Sequence, residues 1–572
     1  MRADEFLQMY ESLYQKLYTV NSEAYWSAGT DVTPTHTGER IGADKAMAAF
    51  QGSTQVLVKA RELLKSKDRL NPLTVRQLEK ILYNGAHSPG TISAIVNERV
   101  AAEANQSATL DGFEFCLEKQ DDKCVKPTTP NRIEDVLRAS TDLAERETMW
   151  KVSKQSGVAL KPGLIKLQGL RNRIASESGF SSYFALEVSD YGMTPQQMTT
   201  LTQKLVADLK PLYQQLHTWT KHKLAERYKQ PVPKLIPAHW LGNRWSQEWP
   251  GLVEGVDLDP LFKDKSKEWV IEQAERFYTS MGMPSLPKTF WEKSDLYELP
   301  PGATRKKNTH ASAWHIDLDQ DVRSLMSAKP DFNWFGTTHH ELGHIYYYLA
   351  YSNPEVPFTL REGANRAYHE AIGYLISVAS SQEPYLREIG LVPANQKIDQ
   401  DKWLLNQALE EVVFIPWSAG VMTGWEHDFY EKNLPPEQYN QRWWEYVMKY
   451  QGVSPPEPRI EEFCDAATKT HINDDPAQYY DYALSYVIKY QIHDYIARKI
   501  LKQDPHNCNY YGNKEVGDFL WGLLKLGQTR DWREVLKEKT GEELSTRAMV
   551  EYFKPLMTYL QKENKGRTVS WE

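Results

Sequence analysis

Long apolar runs are missing from this 572-residue chain. No stretch approaches the about 18 consecutive apolar residues that a membrane-spanning helix requires, so we expect no membrane span. Long blocks of like charge are missing too, and the formal net charge is −8. A nucleic-acid partner is therefore not expected, because binding phosphates requires a basic face. With no internal repeat, low-complexity tract or long Ser/Gly linker, we expect one domain over residues 1–572, made of two intimately packed helical lobes.

A secretory signal is also missing, since residues 1–5 lead directly into an amphipathic helix with Phe6, Tyr10 and Leu13 on one side. This start fits either a cytoplasmic protein or a mature form whose beginning has been replaced.

Cysteine is scarce, with four residues. Cys116 and Cys124 flank a short polar loop, where a local disulfide and two free thiols are both open from the sequence. Cys464 and Cys508 are expected to be unpaired because of their spacing.

Strand-like alternation is rare, and the clearest case is residues 309–316. Helical periodicity dominates instead, so we predict an all-α fold with very little β-structure. The predicted helices, with boundaries accurate to a few residues, cover 2–20, 43–66, 73–84, 92–108, 133–154, 163–178, 195–227, 267–281, 331–351, 367–380, 400–431, 437–449, 477–502, 514–526 and 546–562.

One run of residues dominates the functional interpretation. His340, Glu341 and His344 form the pattern H-E-x-x-H inside a predicted amphipathic helix over residues 334–351. Positions i and i+4 share a helix face, so both imidazoles can reach one metal ion. Glu341 lies one step around the helix, where it can reach water on the metal. Two ordinary histidines on a helix are the alternative, but the helical context favours a catalytic zinc site.

A catalytic zinc site needs a third protein ligand, and three downstream carboxylates compete for this role. Glu355 lies in a proline-flanked turn, and Glu362 precedes a glycine, so both are expected in loops. Glu370 begins a second apolar helix, and a hairpin through the loop 352–364 would return it over the histidines. Helices hold ligands more precisely than loops do, so we predict Glu370 as the ligand.

The motifs that surround this site resemble those of the angiotensin-converting enzyme family of zinc peptidyl-dipeptidases. The resemblance covers nearly the whole chain. It runs through the segments 241–243, 310–314, 339–345, 361–365, 369–373, 443–444, 449–452, 469–472 and 552–556. It implies an almost entirely helical ellipsoid of two lobes, split by a deep central cleft with one zinc ion at its floor. The loop between Cys116 and Cys124 falls where the family has a disulfide.

The resemblance also assigns roles to individual residues. His340, His344 and Glu370 match the zinc ligands, and Glu341 matches the general base that activates the zinc-bound water and returns the proton to the leaving amine. His471 and Tyr482 match the residues that stabilise the oxyanion. His310 matches a substrate-contacting histidine, and Ala311, on the short strand, offers backbone groups to an extended peptide.

An exopeptidase also needs an anchor for the substrate's terminal carboxylate, and Gln247, Lys469 and Tyr479 match the family's trio. A carboxypeptidase relative has arginine in place of this glutamine and proline in place of Ala311. Because the chain keeps Gln247 and Ala311, we predict release of C-terminal dipeptides from oligopeptides. A single-residue carboxypeptidase and a catalytically inactive binding homologue remain the alternatives.

Departures from the family pattern lead to further expectations. Asp481 and Val447 stand where the family has its chloride-binding arginines, so we expect no chloride at these sites and activity largely independent of chloride. Tyr374 stands where an aspartate orients a zinc histidine, so we expect weaker zinc retention than in relatives. By analogy the protein is expected to be exported, to the periplasm or outside the cell, with a cytoplasmic location as the alternative.

Overall fold

The structure, a computed structural model, describes residues 2–253, 257–300, 302–308 and 310–571. About 65% of it is helical and 5% is in strands, which confirms the predicted all-α class. The helices of the first half are α1 (Ala3–Thr30), α2 (Pro34–Gln51), α3 (Thr54–Leu64), α4 (Pro72–Ala86), α5 (Ser93–Asp111), α6 (Pro130–Ala139), α7 (Leu143–Ser153), α8 (Ser156–Glu177), α9 (Tyr183–Ser189), α10 (Pro195–Tyr228), α11 (Lys267–Ser280) and α12 (Lys288–Lys293). Those of the second half are α13 (Phe332–Tyr351), α14 (Arg366–Ser380), α15 (Glu383–Glu388), α16 (Gln400–Ile415), α17 (Thr423–Tyr430), α18 (Tyr439–Tyr446), α19 (Thr470–Asp474), α20 (Tyr480–Tyr495), α21 (Lys514–Leu524), α22 (Trp532–Thr540), α23 (Arg547–Tyr552) and α24 (Lys554–Glu563).

The strands are short and belong to three small sheets. They are β1 (Phe115–Gln120), β2 (Lys123–Thr128), β3 (Ile236–Pro237), β4 (Asp295–Tyr297), β5 (Ser312–His315), β6 (Val322–Ala328) and β7 (Val453–Ser454). β1 and β2 form an antiparallel hairpin, β3 pairs with β7 in parallel, and the third sheet has the order β4–β6–β5. In that sheet β5 pairs antiparallel with β6, with Ser312 opposite Leu325.

The chain divides into two compact units. The first comprises residues 1–91, 257–397 and 484–549, and the second comprises residues 92–256, 398–483 and 550–572. The interleaved ranges show that each unit is assembled from separate parts of the sequence. The expectation of a single catalytic domain with intimately packed lobes stays a prediction.

Three predicted helices are interrupted, and the one predicted over 546–562 divides at Phe553 into α23 and α24. The helix predicted over 43–66 is two helices, because the chain turns at Gly52, where a Cβ would lie 1.7 Å from the carbonyl oxygen of Ser88. The helix predicted over 133–154 breaks after Ala139, and Asp142 starts α7 by accepting the backbone N–H groups of Ala144 and Glu145. The sequence analysis also missed the hairpin of β1 and β2, whose mostly exposed polar strands give little alternation.

No helix within the described ranges is long and apolar enough to cross a membrane. Cys116 and Cys124 form a disulfide, as the resemblance implied. Cys464 and Cys508 are buried free thiols, which confirms the prediction from their spacing.

Candidate active site

Helix α13 of the first unit carries His340, Glu341 and His344. Its start is set by Asp331, whose carboxylate accepts the backbone N–H of Trp334 at 2.7 Å. The predicted i, i+4 pairing brings the two imidazoles together, since the Nε2 atoms of His340 and His344 lie 3.0 Å apart. Helical spacing alone therefore accounts for the first half of the site.

Helix α14 brings Glu370 to these two nitrogens. Asn365 starts the helix by accepting the N–H of Tyr368 at 2.8 Å. The carboxylate oxygen Oε2 of Glu370 lies 3.7 Å from His340 Nε2 and 4.0 Å from His344 Nε2. Among the described residues this is the one group of three or more potential ligands whose ligand atoms all lie within 4.8 Å of one another.

Two glycines allow the helices to come this close. A Cβ on Gly343 of α13 would lie 3.1 Å from the Cα of Gly373 on α14, and a Cβ on Gly373 would lie 2.6 Å from the ring of His340. A Cβ at Gly373 would therefore force the His340 ring to move, and one at Gly343 would require a smaller shift of α14, because atoms in a packed interior already touch. The two glycines thus allow α14 to approach α13 closely enough for Glu370 to lie near both imidazoles.

The competing carboxylates have other surroundings. Glu362 forms an ion pair with Lys80, with 2.8 Å between its Oε2 and the Nζ, and Glu355 is exposed in the loop after α13. The hairpin geometry therefore favours the helix-borne Glu370 over both loop residues.

The chemistry of the three groups fits zinc. Burial lowers the pKa of His340 to about 3 and that of His344 to about 4, so both rings are neutral near pH 7 and offer lone pairs. Two imidazole nitrogens and a carboxylate oxygen are a donor set that catalytic zinc sites use.

Each of these two imidazoles also contacts a further residue. Nδ1 of His344 lies 2.6 Å from Nδ1 of His369, and Gly373 packs directly against the ring of His340. Such contacts orient metal-binding imidazoles and select their tautomer. The contact between His344 and His369 was not predicted, because nothing in their spacing along the sequence marks the two rings as neighbours.

Glu341 lies on the same helix and is 6% exposed. Burial raises the pKa of its carboxyl group to about 8, and the nearby charge of Glu370 adds to this shift. Its proton affinity is therefore raised, and a positive metal ion held at the neighbouring histidines would lower it toward the range in which a general base accepts a proton near pH 7.

A second cluster of predicted residues lies in the second unit. Nζ of Lys469 donates to Oε1 of Gln247 at 2.7 Å and lies 5.4 Å from the ring centroid of Tyr479. The ring centroid of His471 lies 4.9 Å from that of Tyr479, and its Nε2 lies 3.4 Å from the hydroxyl of Tyr482. All five residues predicted in this part of the chain therefore come together.

Comparison with known proteins identifies the family. A family model described as angiotensin-converting enzyme matches residues 1–571. The chain is 31% identical to the angiotensin-converting enzyme of Theromyzon tessulatum, over 100% of this chain and 93% of the relative. It is 30% identical to the angiotensin-converting enzyme of Mesocricetus auratus and to the angiotensin-converting enzyme-like protein Ace3 of Mus musculus, and spans 44% and 78% of their lengths.

The chain belongs to the angiotensin-converting enzyme family. It is a zinc metallopeptidase of the angiotensin-converting enzyme type. This type belongs to the peptidyl-dipeptidase kind of zinc peptidase.

Two further predicted residues of this angiotensin-converting enzyme relative lie in the first unit. His310 is exposed, and its Nδ1 lies 2.9 Å from the carbonyl oxygen of Ala311. Ala311 directly precedes β5, so the expectation that it lies on the strand is wrong by one residue. The strand predicted over 309–316 is shorter because pairing with β6 ends at Ser312 and His315; Thr309 lies outside the described residues.

The positions that depart from the family pattern are all buried or partly buried. The ring of Tyr374 meets that of His340 edge-on, with centroids 4.8 Å apart, and lies 4.9 Å from the ring of Tyr486. Asp481 is fully buried, and Val447 is 4% exposed at the start of a π-helical turn.

Proposed function

We propose that this chain removes dipeptides from the free C-terminus of oligopeptides. The observation that carries the proposal is the buried Lys469, which is bonded to the partly buried Gln247 beside Tyr479. A buried ammonium group with two neutral donors suits a terminal carboxylate, because it supplies charge and directional hydrogen bonds together. Retention of Gln247 and Ala311 supports dipeptide release over release of single residues.

The proposed chemistry divides between two groups of residues. His340, His344 and Glu370 would hold one zinc ion, which supplies Lewis acidity toward the scissile carbonyl and a nucleophile at neutral pH when bound. Glu341 accepts the proton of the attacking water and then donates it to the leaving amine.

The oxyanion that forms at the scissile carbonyl needs donors that are already oriented. His471 and Tyr482 provide a ring N–H and a hydroxyl beside each other, 3.4 Å apart. Their packing against Tyr479 supports a fixed orientation, because neither ring can turn without disturbing its neighbour. His310 and the backbone of Ala311 are proposed to contact the substrate chain.

A peptide series tests this function. Mass spectrometry of products from an oligopeptide with a free C-terminus should show dipeptides, and the same peptide with a C-terminal amide should be a poor substrate. Glu341→Gln should abolish turnover while zinc stays bound at wild-type stoichiometry. Release of single residues would replace the proposal with a carboxypeptidase, and no hydrolysis by the zinc-loaded wild type would indicate a binding homologue.

Activity independent of chloride is proposed on the basis of Asp481 and Val447. A buried carboxylate repels an anion, and a valine offers no charge to hold one. Burial, with Asp475 and Asp481 adding to it, raises the pKa of the nearby Glu426 carboxyl group to about 8, so a further anion here would be unfavourable. A several-fold rise in turnover on adding chloride at constant ionic strength would refute the proposal.

An exported location is proposed because Cys116 and Cys124 form a disulfide, and disulfides persist mainly in oxidising compartments. Thiol labelling of the protein, taken directly from its native compartment and unfolded in the labelling reagent, should detect two free thiols, those of Cys464 and Cys508. Labelling of all four cysteines would contradict an exported location.

A further inference from the structure

The segment between α19 and α20 sets the position of three proposed active-site residues. α19 carries His471, Tyr479 ends the connection, and α20 carries Tyr482. Near the middle of the connection, Ala477 is fully buried with a φ of +62°. Residues with a Cβ disfavour this left-handed conformation, so surrounding contacts must hold it.

Glu426, on α17, supplies the first of these contacts. Its Oε1 accepts the backbone N–H of Ala477 at 2.6 Å, and its side chain is buried at 1% exposure. Burial raises the pKa of its carboxyl group to about 8, with Asp475 and Asp481 adding to the shift. Near pH 7 the group is therefore mostly protonated, and a neutral carboxyl oxygen still accepts a hydrogen bond.

Ser418 supplies the second contact from the π-helical turn Pro416–Met422. Its hydroxyl donates to the carbonyl of Tyr479 at 2.6 Å and accepts the N–H of Ala483 at 3.1 Å. Its own carbonyl accepts the hydroxyl of Thr423 at 2.7 Å. Such widened turns occur frequently at functional sites, where they redirect backbone groups that a regular α-helix would use internally.

We propose that Ser418 and Glu426 are positioning residues that hold the segment 475–483, and through it present Tyr479 and Tyr482 to His471. Both act on main-chain atoms on either side of Tyr479, so losing either contact lets the two tyrosines shift together. This inference rests on the proposed function of His471, Tyr479 and Tyr482. It adds two residues, on a separate stretch of chain, that the peptidase reaction depends on.

The first test compares two buried serines. Ser418→Ala removes both hydrogen bonds to the segment and should lower kcat/KM for a free C-terminus peptide by about tenfold or more. Ser153→Ala is the matched control, because Ser153 is equally buried in the second unit but donates only within its own helix, to Trp150. Its kcat/KM should stay within about twofold of wild type, since the segment is untouched.

The second test uses conservative and non-conservative changes of Glu426. Glu426→Gln keeps an acceptor oxygen in the shape of the protonated carboxyl group and should retain most activity. Glu426→Leu removes the acceptor and should lower kcat/KM about tenfold or more, with both kcat and KM affected. Adding Ala477→Gly to Glu426→Leu should restore part of the loss, because glycine adopts the left-handed conformation without a Cβ clash.

Hydrogen–deuterium exchange gives a readout that does not depend on activity. In the zinc-loaded protein, Ser418→Ala and Glu426→Leu should speed exchange in segment 475–483 and leave residues 332–380 unchanged. Unchanged exchange in 475–483 would overturn the inference, as would a Glu426→Leu protein with wild-type kcat/KM. A wild type that hydrolyses no peptide would refute the proposed function. Faster exchange in the variants would still establish that Ser418 and Glu426 hold the segment 475–483.

Discussion

His369 should control zinc affinity through His344. A metal-binding His344 must leave Nε2 free, so its proton sits on Nδ1 and is donated to Nδ1 of His369, 2.6 Å away. The remaining proton of His369 is then on Nε2, which is buried and has no hydrogen-bond partner in the described part of the chain. His369→Phe keeps a ring against Tyr347, whose centroid is 4.6 Å away, but removes the acceptor.

The size and direction of the change in zinc affinity follow from comparing the zinc-bound and zinc-free forms of His369→Phe. With zinc bound, the Nδ1–H of His344 would be buried and unpaired, which costs about 1–3 kcal/mol. Without zinc, the proton can move to Nε2, 3.0 Å from Nε2 of His340, and the cost disappears. The penalty therefore falls on binding, and we expect zinc affinity about 10- to 100-fold weaker, or about 1.4–2.7 kcal/mol.

Competitive titration with a chromophoric chelator measures this affinity, and urea unfolding of the zinc-free protein measures stability. His339→Phe is the matched control: His339 is a buried imidazole on α13 that bonds Phe335 and Tyr385 instead of a metal ligand. It should lose about 1–3 kcal/mol of zinc-free stability at unchanged zinc affinity. His369→Phe should instead lose zinc affinity without losing stability in the zinc-free protein, because it removes a buried, unpaired N–H from that state. Zinc affinity within about twofold of wild type in His369→Phe would refute the reasoning.

Other predictions concern the same two clusters. Gly373→Ala should reduce zinc stoichiometry well below one per chain at equal free zinc, because its Cβ would lie 2.6 Å from the ring of His340; full zinc occupancy would contradict the packing argument. Tyr374→Asp should strengthen zinc retention about tenfold in chelator dialysis, because a carboxylate beside His340 favours the metal-bound imidazole. Unchanged retention would show that the tyrosine supports zinc binding as well as an aspartate does. Burial lowers the pKa of Lys469 to about 7, so its ammonium is charged below that pH and loses its proton above it. KM for free C-terminus peptides should therefore rise on the alkaline side of about pH 7, and Lys469→Met should raise KM about tenfold or more at pH 6 and flatten this dependence. A wild-type KM that stays constant from pH 6 to 9 would argue against Lys469 as the anchor.

Local periodicity explains most of what could be predicted. α13 and α14 begin and end within one or two residues of their predicted bounds, because strong apolar spacing and an Asp331 or Asn365 cap define them. Helices were wrongly joined where a short break depends on a distant contact, as at Gly52 against Ser88. The hairpin of β1 and β2 was missed because its side chains are mostly exposed and polar.

The sequence by itself determined the pairing of His340 and His344, because an i, i+4 spacing on a helix has one geometric outcome. The motifs along the chain likewise determined the family, since together they are too specific to recur by chance. Only the tertiary structure brought Glu370 close to both imidazoles, through the close approach of α13 and α14 at Gly343 and Gly373. It also placed His369, Ser418 and Glu426 beside hydrogen-bond partners that are 25 to 65 residues away in sequence. Contacts over such separations depend on how helices pack, which no local pattern of residues encodes.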